Sequence, residues 1–192
     1  MPILSQFAAA PNMLTMLRLF ALPFLVILIL DGHWTTGFAL MMVAGITDAF
    51  DGLLARWLHQ HTKLGQYLDP IADKLLLSTL FITLTHAGQI PRYVTVLVFS
   101  RDLGILLIST LLFVTNTLRD FRPSLFGKAN TAVQIVAVVG VMGSKVWPIP
   151  YLPEIDLWLL RLIAVLAPLS AAQYAWIVIR RVSTPIEPVA AP

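Results

Sequence analysis

The sequence predicts an all-α protein, a bundle of six membrane-spanning helices, and three observations carry that prediction. Of 192 residues, 58% are hydrophobic and 12% charged, with a mean hydropathy of +0.82; in a soluble domain about a quarter would be charged. Apolar stretches fall near 13–30, 35–58, 66–87, 93–115, 129–147 and 157–179. At ~1.5 Å per residue, each is long enough to cross about 30 Å of hydrocarbon. The breaks between them carry turn chemistry: Asp31-Gly32, His86-Ala87-Gly88 with Pro91, Arg122-Pro123, and the cluster Pro148, Pro150 and Pro153.

The first stretch is interrupted by Arg18. If residues 1–19 lie partly along the membrane surface, Arg18 is expected to snorkel to the headgroups; otherwise the segment spans. No Lys or Arg precedes Pro11, so a cleaved signal peptide is not expected and the N-terminus is expected to be retained. The second and third stretches flank an acidic segment, and the fourth and fifth carry isolated polar groups. The sixth ends at Arg180-Arg181, a stop-transfer anchor suited to anionic lipid. One domain is expected over 1–183, with a flexible tail at 184–192, and no internal repeat is visible.

Six spans place both termini on one side, with the loops joining helices two to three and four to five. Arg56, Lys63, Arg119, Arg122, Lys128, Arg180 and Arg181 gather there, against Arg92, Lys145 and Arg161 at the other side. The positive-inside rule makes the first group cytoplasmic. The protein is therefore expected in the cytoplasmic (inner) membrane, with its acidic segment facing the compartment that holds nucleotides. Trp34, Tyr93, Trp147 and Tyr151 near the span ends suit an interfacial belt. The net charge of +3, with no basic run interleaved with aromatics, argues against a nucleic-acid partner. The absence of cysteine rules out disulfide and thiol chemistry.

The acidic segment, Asp48 to Lys74, reads DAFDGLLARWLHQHTKLGQYLDPIADK. Charged side chains near a membrane core cost roughly 2.5–3.5 kcal/mol each, so four aspartates there require a compensating partner. Asp48 and Asp51 are three apart and Asp69 and Asp73 four apart, which puts each pair on one face of a helix. Carboxylate oxygens without cysteine suit magnesium, manganese or calcium rather than zinc or copper. Gly52 and Ala55 leave the acidic face of helix two almost without bulk, so a ligand can approach the backbone. Salt bridges to Arg56, Lys63 and Lys74 could neutralise the acids, but would not call for glycine there. His59 and His61 are two apart in a polar loop and are expected to be solvated rather than ligating.

The string D-x2-D-G-x2-A-R-x8-G-x3-D-x3-D, filled by Asp48, Asp51, Gly52, Ala55, Arg56, Gly65, Asp69 and Asp73, resembles the signature of the CDP-alcohol phosphotransferase family. Eight fixed residues over 26 positions make it far more specific than a short glycine motif. PNMLTMLR at 11–18, LDPIADK at 68–74 and GK-x2-T-x2-Q at 127–134 resemble the phosphatidylglycerophosphate synthase and eukaryote-type cardiolipin synthase branches. The resemblance runs from about residue 11 to 180. It implies a homodimeric enzyme with two divalent cations, Mg2+ or Mn2+, that takes CDP-diacylglycerol as donor and releases CMP. It further implies Asp48, Asp51 and Asp69 as metal ligands and Asp73 as the base for the acceptor hydroxyl. The residues alone predict four acids, Asp73 included, around metal and do not single out the base. Gly52, Ala55, Arg56 and Gly65 are expected to line the CDP donor; tight helix packing is the plainer use of such small residues.

Arg101, beside Asp102, lies inside an apolar run, and Lys128, Thr131 and Gln134 recur every three residues. Arg101, Lys128 and Thr131 are expected to bind the phosphate of a glycerol-based acceptor; an ion pair that only orients helices is the alternative. Glycerol 3-phosphate, giving phosphatidylglycerophosphate, is the first acceptor expected, and phosphatidylglycerol, giving cardiolipin, the second. Phosphatidylglycerophosphate synthases often show Arg-Glu with a second arginine eight residues after the first, whereas here Arg101 precedes Asp102 and position 109 is Ser109. Ser100-Arg101-Asp102 and Gly127-Lys128-Ala129-Asn130-Thr131 resemble the cardiolipin branch more closely. A small cation transporter would spread its acids through the membrane depth and show repeat symmetry; these acids cluster at one interface.

Overall fold

The computed structural model describes the backbone of residues 10–57, 63–114 and 125–183, and side chains at 16–47, 72–108, 110 and 125–180. As predicted, helix is the regular secondary structure of the described residues: α1 Ala10–Leu30, α2 Trp34–Trp57, α3 Lys63–His86, α4 Arg92–Val114, α5 Leu125–Val146 and α6 Leu152–Ser183. Each predicted stretch has its helix. Several helices begin before the apolar run does, α5 at Leu125 rather than 129 and α6 at Leu152 rather than 157. Hydropathy marks what can lie in lipid, whereas helix ends are set by backbone pairing and capping. At α6, Pro153 sits in the first turn, where its missing N–H costs nothing, and Glu154 faces the positive end of the helix dipole.

Among the described residues, α5 over Leu125–Val146 and α6 over Leu152–Arg180 have the length and apolarity to cross a membrane. The apolar parts of α1 and α2, Met16–Leu30 and Trp34–Thr47, are shorter. Many large apolar side chains point outward, among them Phe20, Phe24, Val96, Leu107, Val165 and Ile179.

The chain divides into two compact units. One comprises Met1–Pro91 and Ala137–Asp156. Here α1 packs against both α2 and α3, over a core that includes Leu25, Ile29, Met41, Phe81, Leu84 and Met142. Two of its helices end on glycine. At α1, Gly32 adopts a positive φ of 75°, and the amides of Gly32 and His33 donate to the carbonyls of Ile29 and Leu28 at 3.2 and 2.8 Å. At α3, Gly88 has φ 72°, and Gly88 and Gln89 donate to Thr85 and Leu84 at 3.0 and 2.8 Å. This pairing satisfies the last carbonyls of each helix and needs a left-handed residue that glycine adopts without strain. The Asp31-Gly32 and Ala87-Gly88 breaks thus fall where the sequence placed them.

The second unit comprises Arg92–Val136 and Leu157–Pro192. Val94 and Val98 of α4 and Leu160, Ile163 and Ala167 of α6 are buried, as are three polar residues, Asn130, Gln134 and Ser170. Arg161 and Arg180 lie over the rings of Trp158 and Trp176, at 5.1 and 4.8 Å from their centroids, each one helical turn from its partner.

Candidate active site

Asp48, Asp51, Gly52, Ala55 and Arg56 all fall within α2, and Gly65, Asp69 and Asp73 within α3. Both aspartate pairs therefore lie on continuous helix, where spacings of three and four put their members on one face. Gly65 stands in the first turn of α3. The side chains of Asp48, Asp51, Gly52, Ala55, Arg56, Gly65 and Asp69 lie outside the described residues, as do His59 and His61 altogether. Among the described residues no group of three metal-ligating side chains occurs. The donor set that α2 and α3 carry is purely carboxylate, which fits hard divalent cations.

Asp73 is described, and its position is informative. Its Oδ1 accepts a hydrogen bond of 2.8 Å from Nη1 of Arg18, and the two side chains are 53% and 3% exposed, respectively. A guanidinium taken out of water needs an anion against it, because an uncompensated buried charge costs several kcal/mol, about 3–5 when a partner is removed. Arg18 meets that need at its Asp73 end, while the carboxylate stays half open.

Of the two readings of the first stretch, the one in which Arg18 snorkels to the headgroups is not what the structure shows. α1 runs unbroken through that residue, and its side chain is buried and paired within the unit instead of snorkelling outward. Local spacing could not have found the pair, whose members are 55 residues apart. A lone arginine in an apolar run, with a cluster of acids later in the chain, was the available signal.

Of the expected acceptor residues, Arg101 lies on α4 with its side chain largely buried. Its Nε donates to Ser170 Oγ at 2.8 Å and its Nη1 to Asp102 Oδ1 at 2.5 Å; Nη2 takes part in neither bond. The side chains of Arg101 and Asp102 are 8% and 10% exposed. Lys128 is exposed on α5, and Thr131 donates its hydroxyl to the Gly127 carbonyl at 3.2 Å. Two residues of α5 go further inside than either: Asn130 and Gln134 are 0% exposed. Neither carboxamide has a hydrogen-bond partner among the described residues for its nitrogen or its oxygen. Each such unmade group costs about 1–3 kcal/mol.

Residues 8–179 match the CDP-alcohol phosphatidyltransferase family. The chain belongs to that family. The match covers α1 to α5, α6 as far as residue 179, and every residue of the acidic pattern. Among CDP-alcohol phosphatidyltransferases, human cardiolipin synthase (CMP-forming) is 35% identical over 155 residues, covering 71% of this chain and 51% of the human protein. A probable phosphatidylglycerophosphate synthase of Mycobacterium tuberculosis is 38% identical over 141 residues, 70% of this chain and 66% of that protein. The CDP-diacylglycerol–glycerol-3-phosphate 3-phosphatidyltransferase of Bacillus subtilis is 29% identical over 147 residues, 69% and 75% respectively. The chain spans about half the length of the cardiolipin synthases it matches.

Proposed function

We propose that this protein is a membrane phosphatidyltransferase that moves the phosphatidyl group of CDP-diacylglycerol to a glycerol acceptor bearing a phosphate, with release of CMP. The observation that carries this is the complete eight-residue pattern lying on α2 and α3 of a chain that belongs to the family. The acceptor's hydroxyl oxygen attacks the phosphorus that carries the diacylglycerol, the bond to the CMP oxygen breaks, and the hydroxyl proton passes to Asp73. Asp73 suits that task because its carboxylate is half exposed and is held by Arg18. Asp48, Asp51 and Asp69, with Asp73 beside them, would hold two divalent cations, Mg2+ or Mn2+. When bound, these neutralise charge developing on the diphosphate. Gly52, Ala55 and Gly65 leave backbone open to the CDP moiety, and Arg56 supplies a cation for a donor phosphate. In the second unit, Arg101, with Nη2 outside its two bonds, Lys128 and Thr131 serve the acceptor phosphate.

Glycerol 3-phosphate is the first acceptor. Phosphatidylglycerol is the second, and specific residues favour it: the Ser100-Arg101-Asp102 and Gly127–Thr131 strings, with the cardiolipin synthases among the relatives supporting them. We read residues 1–183 as one domain with a tail at 184–192, crossing the inner membrane six times and opening its acids to the cytoplasm. The outward apolar side chains of α1, α4 and α6 support the spanning, and the homodimer remains an inference from family resemblance. The test is to offer the purified protein CDP-diacylglycerol with either glycerol 3-phosphate or phosphatidylglycerol and to identify the lipid formed. Release of CMP with neither would refute the acceptor class.

A further inference from the structure

One face of α5 changes chemistry along its length. Towards its C-terminal end the buried residues are Ala137, Val138, Val141 and Met142, none more than 4% exposed. Towards its N-terminal end the same face carries Asn130 and Gln134, each 0% exposed. They are one helical turn apart and so stand one above the other. All four of their side-chain nitrogen and oxygen atoms are buried and without a hydrogen-bond partner among the described residues. Leucine or methionine would fill similar volumes with nothing left unsatisfied, so two carboxamides here call for something that bonds to them.

The chemistry of the pair narrows what that is. Each carboxamide presents an NH2 that only donates and a carbonyl oxygen that only accepts, and neither is charged. Phosphate oxygens would satisfy the NH2 groups and be repelled by the carbonyls; a cation would do the reverse. A hydroxyl both donates and accepts, and two hydroxyls on neighbouring carbons match two carboxamides stacked one turn apart. Lys128 and Thr131, expected to serve a phosphate, lie within the same short run of α5.

We propose that Asn130 and Gln134 bind the hydroxyl groups of a glycerol phosphate, so that this end of α5 recognises the alcohol portion of the acceptor. The inference rests on the acceptor class proposed above. The same pair of adjacent hydroxyls occurs on free glycerol 3-phosphate and on the headgroup of phosphatidylglycerol.

The full chain in phosphatidylcholine nanodiscs is titrated calorimetrically with glycerol 3-phosphate, with 3-hydroxypropyl phosphate, which lacks the middle hydroxyl, and with inorganic phosphate. The wild type is expected to prefer glycerol 3-phosphate over 3-hydroxypropyl phosphate about tenfold, the scale of one lost hydrogen-bonding group. Asn130→Leu and Gln134→Met should each abolish that preference while leaving inorganic phosphate affinity unchanged. Doping the nanodiscs with phosphatidylglycerol separates the sources: competition with glycerol 3-phosphate identifies the lipid headgroup as ligand, and its absence identifies the free phosphate ester. Equal binding of the two esters by the wild type overturns the proposal even if neither variant folds. So does unchanged preference in both variants, which would mean that the carboxamides hold only internal water. A wild type that discriminates the esters yet forms no lipid from CDP-diacylglycerol upholds this site and removes the catalytic reading instead.

Discussion

Two arginine–aspartate pairs stand among the described residues, and they are built in opposite ways. Arg18 and Asp73 come from different helices, and burial falls almost entirely on the arginine, 3% exposed against 53%. Arg101 and Asp102 are neighbours in the chain and are enclosed together, at 8% and 10%, with Ser170 closing the arginine's third side. An open carboxylate steadied by a buried cation can still meet a substrate. An enclosed pair has given most of its bonding capacity to the protein and keeps little, chiefly Nη2 of Arg101, for a ligand. Pairing alone therefore does not tell which acid a substrate can reach; the side on which burial falls does.

Removing divalent metal tests the open pair's surroundings most severely. Exhaustive chelation should abolish CMP release, and added Mg2+ or Mn2+ should restore it; full turnover without metal would place the chemistry elsewhere. Next in size is Asp73→Asn, which keeps an oxygen for Arg18 while removing the base. It should lower kcat by roughly 10²–10⁴-fold with CDP-diacylglycerol affinity retained, and near wild-type turnover would take the base role from Asp73.

Arg101→Gln discriminates the two uses of the enclosed pair. A phosphate ligand predicts an acceptor KM raised about tenfold or more with donor affinity little changed. A pair that only orients helices predicts a lower melting temperature and both substrates weakened together. Arg101→Lys should also be costly, because ammonium lacks the planar fork. The smallest effects belong to Arg18→Gln and Lys128→Gln. Freed of its arginine, the half-exposed Asp73 remains solvated, so Arg18→Gln should reduce kcat about tenfold without moving either KM, with partial recovery in Arg18→Lys. Lys128, already exposed, should change the acceptor KM only a few-fold, an effect that fades at high salt; an unchanged acceptor KM in both Arg101→Gln and Lys128→Gln would remove the phosphate pocket.

The helices were legible because long apolar runs and glycine or proline breaks are local facts, and Gly32 and Gly88 do end α1 and α3. The acidic pattern was legible for the same reason, since spacings of three and four acquire meaning as soon as the segment is helical. The pairing of Arg18 was not legible, because its partner is distant in sequence and no periodicity reports a contact between α1 and α3. On α5 the polar residues at 128, 131 and 134 suggested one stripe, yet the buried face takes Asn130 and leaves Lys128 outside. Which face of a helix goes inward is decided by what packs on it, and polarity within the helix carries little of that information.

The three-residue turn at Asp31, Gly32 and His33 also acts as a ruler. Measured along their helices from that turn, Arg18 stands about 18 Å back on α1 and Asp48 about 21 Å forward on α2, at ~1.5 Å per residue. Since α1 packs on both α2 and α3, the cation that grips Asp73 and the first aspartate of the pattern come to nearly the same level. A residue inserted into the turn would leave the acidic segment chemically intact and shift the level of its α2 part relative to Arg18.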